Sequence, residues 1–208
     1  MVKMTCYSDV PGWGDFPIVY RDLVASLPAN ASILELGVGF GRGTWTMLDA
    51  MTDTMSLYII DSFNAVDTVD LWENYFETGS PVTLSRENIL EYGNMTKIYN
   101  HYEIFLHNIC QHTRYSQIQA IHAISSDEYI ASNFKNDFDL VFLDGEHSYE
   151  AVKQELEYFK NSGIISGHDY NIETWPGVIQ AVTEFLDSNP DRYLKVYEEN
   201  EVFVICRR

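Results

Sequence analysis

The chain has 208 residues, 46% apolar and 14% aromatic, which suits one domain with a full hydrophobic core and is a globular composition, not that of a disordered chain. It carries 31 Asp and Glu against 13 Lys and Arg, and its net charge of −18 disfavours nucleic acid or an anionic membrane as partner. Cys6, Cys110 and Cys206 are scattered, no apolar run approaches ~20 residues, and the N-terminus lacks a signal-peptide pattern; the expectation is a cytoplasmic protein with no membrane span.

Taken in order, residues 1–31 hold Pro11-Gly12-Trp13-Gly14-Asp15-Phe16 and then a helical pattern through Val19, Tyr20, Leu23 and Val24. Ile33-Leu34-Glu35-Leu36 is a strand that runs into glycines, and Thr44 to Met51 reads as helix. Leu57 to Asp61 is a second strand ending on an acid. The stretch from Ser62 to Gln117 is roughly twice as long as a minimal crossover needs. Tyr102, Phe105, Leu106, Ile109 and Cys110 mark its crossover helix, leaving 64–99 as a partly helical insertion or lid. Ile118 to Ala123, Leu140 to Asp144 and Gly163 to Ser166 are further strands, the last two joined by a helix through Tyr149, Val152, Leu156 and Phe159. A helix through Val178, Ala181, Val182, Phe185 and Leu186 precedes two short strands, Leu194 to Tyr197 and Val202 to Cys206, expected as a terminal meander. The expected fold is α/β: one Rossmann-like domain over 1–208, with a doubly wound, mostly parallel seven-stranded sheet. An antiparallel hairpin closes the chain, and helices cover both faces.

The turn Glu35-Leu36-Gly37-Val38-Gly39-Phe40-Gly41-Arg42-Gly43 is the most informative segment. Arg42 and Thr44 stand where two registers of the dinucleotide pattern GxGxxG need glycine, and no P-loop lysine follows. Alternating glycines let a backbone turn sharply and approach a ligand, and the sequence identifies no packing need for four of them. Glu35 beside them suits a positively charged group better than a pyrophosphate.

This pattern resembles motif I of the class I S-adenosylmethionine-dependent methyltransferases. The resemblance implies that Glu35 lies near the methionyl ammonium, that Gly37, Gly39 and Gly41 face the cofactor, and that Asp61, with Ser62 beside it, grips the ribose. It also implies adenine contacts from Ser125, Ser126 and Asp127, and a cover over the cofactor from the N-terminal segment, where Trp13 and Phe16 could shield the sulfonium.

A second cluster, Asp144-Gly145-Glu146-His147 with Gly167-His168-Asp169-Tyr170, follows the fourth and fifth strands, at the end of the sheet where ligands bind. Asp144, His168 and Asp169 offer oxygen and imidazole ligands that suit Mg²⁺ or a similar divalent cation. The run LDGEHSYEAVKQEL followed by GHDY resembles small-molecule O-methyltransferases, including enzymes that methylate sugars and macrolide sugars, and more distantly catechol O-methyltransferase. That resemblance implies Asp144, His168 and Asp169 as metal ligands, with His168 replacing the usual acid, and His147 as general base. A histidine titrates near neutrality and can take an alcohol's proton. Tyr170 and Trp175 could line an acceptor pocket. Plainer roles are Asp144 as a helix cap and His168-Asp169 as a hydrogen-bonded turn; His101, His107, His112 and His122 read as structural or solvent-exposed.

The leading expectation is therefore O-methylation of a small-molecule hydroxyl, with a homo-oligomer left open. A non-catalytic S-adenosylmethionine-binding module and a methyltransferase fold acting on another acceptor class are the alternatives.

Overall fold

The computed structural model describes residues 3–10, 17–63, 100–123, 135–199 and 201–208. The insertion at 64–99, Trp13 and Phe16, and Ser125, Ser126 and Asp127 lie outside the described residues. Seven strands form one sheet: β1 (Ser32–Leu36), β2 (Ser56–Asp61), β3 (Ile118–Ala123), β4 (Leu140–Leu143), β5 (Ile164–Gly167), β6 (Tyr193–Glu199) and β7 (Val202–Arg207). Five α-helices are described: α1 (Pro17–Ala25), α2 (Arg42–Ala50), α3 (His101–Ile109), α4 (Tyr149–Tyr158) and α5 (Pro176–Ser188). His112 lies beyond the end of α3.

Strand order is β3-β2-β1-β4-β5-β7-β6, with the first five parallel and β7 antiparallel to both neighbours. The terminal hairpin is not a meander on β5, because the last strand and not the sixth lies beside it. The residues explain this choice. Val202, Phe203, Val204 and Ile205 are all buried and suit an interior strand, whereas β6 exposes Leu194 and Lys195 and suits the edge.

Period-two alternation places one core on each face of the sheet. Ile33, Leu140, Phe142, Val202 and Val204 face a layer that includes Val24, Met47, Leu48, Ile104 and Phe105, from α1, α2 and α3. Leu34, Leu36, Val141, Leu143, Phe203 and Ile205 face Val152, Leu156, Val178 and Phe185 of α4 and α5. Helix boundaries follow local chemistry. Asn100 and Glu103 close a capping box at α3, Ser148 accepts from the Ala151 N–H at α4, and Pro176 starts α5.

Register then builds the site. Leu36 pairs with Ile60 on one side and Leu143 on the other, and Leu143 pairs with Gly167. Gly37, Asp61, Asp144 and His168 therefore leave four adjacent strands at one level. The order reverses between β1 and β4, and the crevice outside a reversal is where α/β sheets hold ligands.

Candidate active site

The glycine turn is shaped mainly by its neighbours. A Cβ on Gly37 would lie 2.1 Å from the Asp144 carbonyl oxygen, and one on Gly41 would lie 2.7 Å from Ile109 Cδ1. At Gly43 a Cβ would come within 2.6 Å of Glu35 Oε1 and 2.8 Å of Tyr20 Cε2. Three of the four glycines thus have packing reasons that the sequence alone does not reveal. Gly39 differs: its φ is +50° and none of the described residues lies within 4 Å of its Cβ position, so this residue opens towards space a ligand can occupy.

Two polar side chains of α3 hold the turn from behind. His101 Nε2 lies 2.6 Å from the Gly39 carbonyl oxygen, and Asn108 Nδ2 donates to the Phe40 carbonyl at 2.9 Å. A carbonyl only accepts, so Nε2 carries the His101 proton. Opposite, Asp61 receives the Val38 N–H at 2.7 Å and the Phe63 N–H at 2.6 Å, tying the end of β2 to the turn. The exposed Ser62 follows it. Glu35 is only 2% exposed and receives the Thr44 hydroxyl at 2.5 Å. Burial pushes its carboxyl up to about 8, with the Thr44 bond opposing.

Beside the turn, the structure brings together Asp144, His147, His168 and Asp169. His147 Nε2 lies 2.9 Å from Asp169 Oδ2, and His168 Nδ1 lies 3.2 Å from that oxygen and 3.7 Å from Asp144 Oδ1. Burial opposes charge on both histidines, yet the Asp169 carboxylate outweighs it and raises them above the ordinary imidazole value. Burial works to raise Asp169, but its bonds to His147 and His168 hold it well below the usual carboxylate range. Burial pushes Asp144 up to about 7, opposed by His168. Asp169 also adopts φ +58°, a left-handed conformation uncommon outside glycine and the kind of strain that gathers at functional sites.

Ligand atoms of Asp144, His168 and Asp169 lie within 4.8 Å of one another, so one cation could reach all three. Asp144 is not the cap of α4, since Ser148 fills that role. Trp175, expected at an acceptor pocket, packs its ring 4.9 Å from that of His147 and stays 39% exposed. Tyr170 instead belongs to the second core, against Phe203, with its hydroxyl accepting from Lys195 at 3.1 Å. His112 is buried on Asp49, and His101 is the histidine that touches the turn.

One residue at the site read only as core. Tyr20 of α1 packs on Phe142 and directs its hydroxyl to Asp144 Oδ2 at 3.3 Å. Its apolar helical spacing conceals that bond, which depends on α1 crossing the carboxyl end of β4.

A family model described as a methyltransferase domain matches residues 34–170, from β1 through the whole second cluster. No curated protein matches the chain. Among solved structures, the chain is similar to an O-methyltransferase from Bacillus cereus in complex with SAH, at 13% identity over 96% of this chain and 86% of that one, TM-score 0.57. It is also similar to cofactor-bound Rv0187 from MTB, at 11% identity over 97% and 84%, TM-score 0.60. A third is CalS11, a TDP-rhamnose 3'-O-methyltransferase of calicheamicin biosynthesis, at 15% identity over 91% and 76%, TM-score 0.52. At such identities these likenesses establish the fold. With a sheet that reverses at a glycine turn and a family model spanning most of it, the chain belongs to the methyltransferase domain family and is a class I S-adenosylmethionine-dependent methyltransferase.

Proposed function

We propose that this chain methylates a hydroxyl oxygen of a small-molecule acceptor, with a sugar as the leading class, using His147 as base and Asp144, His168 and Asp169 as a divalent-cation site. The observation that carries this reading is the His147–Asp169 pair at 2.9 Å, set at the strand ends that flank the glycine turn. CalS11, which acts on a rhamnose hydroxyl by its name, lends the sugar its support.

In this reading Glu35, Gly37, Gly39, Gly41, Asp61 and Ser62 hold the cofactor, with Trp13, Ser125, Ser126 and Asp127 completing its pocket. Bound there, S-adenosylmethionine supplies an electrophilic methyl group on a sulfonium. The protein must then align an acceptor oxygen with it and take the hydroxyl proton. His147 suits that proton transfer, because Asp169 occupies its Nε2 and so fixes the proton there, leaving Nδ1 as the accepting atom. Asp169 also stabilises the imidazolium that forms. The exposed face of Trp175 beside His147 gives an acceptor ring an apolar surface.

Two carboxylates and an imidazole, with no thiol, fit Mg²⁺ or Mn²⁺, and a bound ion would lower the acceptor hydroxyl's pKa. His168 must then exchange its bond to Asp169 for the ion. One observation favours a second, metal-independent reading: Asp169 Oδ2 already serves both histidines, so the base is oriented without an ion.

The test is a turnover assay on a panel of glycosides and phenols, read as SAH released, with calorimetric SAH binding alongside. His147→Ala is expected to lower kcat by about 10²–10⁴-fold with SAH affinity unchanged. Loss of rate in EDTA, restored by Mg²⁺, supports the cation site; a rate indifferent to both assigns the chemistry to His147 and Asp169 alone. Full activity in His147→Ala would refute the base assignment.

A further inference from the structure

Behind the glycine turn lie polar groups whose role nothing in the family match assigns. His101 and Asn108 lie seven residues apart on α3, two turns along one face. Both are buried, and they bond to successive carbonyls of the turn, Gly39 at 2.6 Å and Phe40 at 2.9 Å. Buried polar side chains are expensive unless they serve something, and among the described residues His101 Nδ1 has no partner.

Peptide planarity turns these bonds into a constraint on the other side of the turn. The N–H of a trans peptide points opposite to its C=O. With the Gly39 carbonyl drawn towards His101, the Phe40 N–H is directed away from α3. With the Phe40 carbonyl drawn towards Asn108, the Gly41 N–H is directed away from α3 and meets the Val38 carbonyl at 2.8 Å. Gly39 itself has φ +50°, and among the described residues nothing lies within 4 Å of its Cβ position to fix its conformation. Rings of Phe40 and Phe63 enclose His101 edge-on at 5.2 and 5.4 Å, which keeps the imidazole from swinging away.

We propose that His101 and Asn108 are positioning residues for the cofactor: from α3 they lock two successive peptides of the glycine turn in the orientation that receives S-adenosylmethionine. The proposal rests on the cofactor reading above. It makes α3 part of the cofactor site although neither side chain need touch the ligand.

The test compares His101→Phe and Asn108→Leu, which keep the volume and remove the donor, with Gln117→Leu as a control. Gln117 is equally buried and donates to the Met55 carbonyl at 3.2 Å, but it sits at the far, amino end of the sheet. Each protein is assayed for SAH dissociation constant by calorimetry well below its thermal midpoint, and for acceptor KM and kcat at saturating cofactor. The two α3 variants are expected to raise the SAH constant by about tenfold each, with kcat at saturation within about twofold of wild type. Gln117→Leu is expected to lose stability and keep wild-type affinity. Wild-type affinity in both α3 variants, or an equal weakening in Gln117→Leu, overturns the proposal in favour of a merely structural role. Should either α3 variant fail to fold, His101→Leu and Asn108→Ala, which also remove the donor, are read by the same criteria. A wild-type protein that does not bind SAH overturns the cofactor reading itself, a result distinct from any difference between variants.

Discussion

Glu35 shows how a single side chain changes meaning between sequence and structure. As a letter before a glycine turn it suggests a carboxylate waiting for a cation. Folded, it is almost fully buried, accepts the Thr44 hydroxyl, and is pushed up to about 8 by that burial, so without ligand it holds a proton at neutral pH. An unfolded glutamate titrates near 4.3. Between those values the unfolded chain binds fewer protons than the native one, so this residue makes stability fall as pH rises, until the native group also ionises. Glu35→Gln is expected to remove that component, on the order of a few kcal/mol. Urea midpoints of both proteins at pH 5 and pH 8 check it: the variant should lose less stability over that interval, and equal losses would place the charge elsewhere. The acid's position was legible because strand patterning ends there; its protonation was not, because burial on all sides is a tertiary property. The same holds for Tyr20, whose hydroxyl meets Asp144 across a large separation in the chain.

At the scale of an element, the glycine turn separates into a structural part and a ligand-facing part. Gly37 is pressed on the Asp144 backbone with φ +80°, and Gly39 faces open space with φ +50°. Gly37→Ala must shift the end of β4 and is expected to cost about 3 kcal/mol or more, as overpacking against backbone does. Gly39→Ala meets no atom of the described residues and is expected to cost only about 1–2 kcal/mol for its left-handed φ, the larger effect falling on SAH affinity. Urea unfolding beside SAH calorimetry measures the split; similar stability losses in both would mean that the turn acts as one packed unit. Alternating glycines can be counted in a sequence, but which of them touches protein depends on strands far apart in the chain. The terminal hairpin gives a parallel case. Its two strands are plain from their patterning, yet their order beside β5 follows from which strand is apolar enough for the interior.

For the whole molecule, the net charge of −18 makes folding a contest between core burial and self-repulsion. Raising NaCl from about 10 to 500 mM shortens the Debye length from about 30 Å to a few ångströms, so the thermal midpoint is expected to rise. A differential scanning fluorimetry series tests this, and a flat or falling midpoint would show the acids to be paired or too dispersed to matter. Among the described residues no helix is long and apolar enough to cross a membrane. The sequence by itself determined the alternation of strands and helices, the helical cover on both faces of the sheet, the glycine turn and the acid-and-histidine motifs after β4 and β5. All of these follow from local periodicity and residue type. Only the tertiary structure decided the contacts by which Asp144, His147, His168 and Asp169 form one cluster, that Tyr20 reaches it, and that α3 holds the turn through His101 and Asn108. Those contacts join segments distant in the chain, and their geometry exists only once strand register and helix packing are fixed.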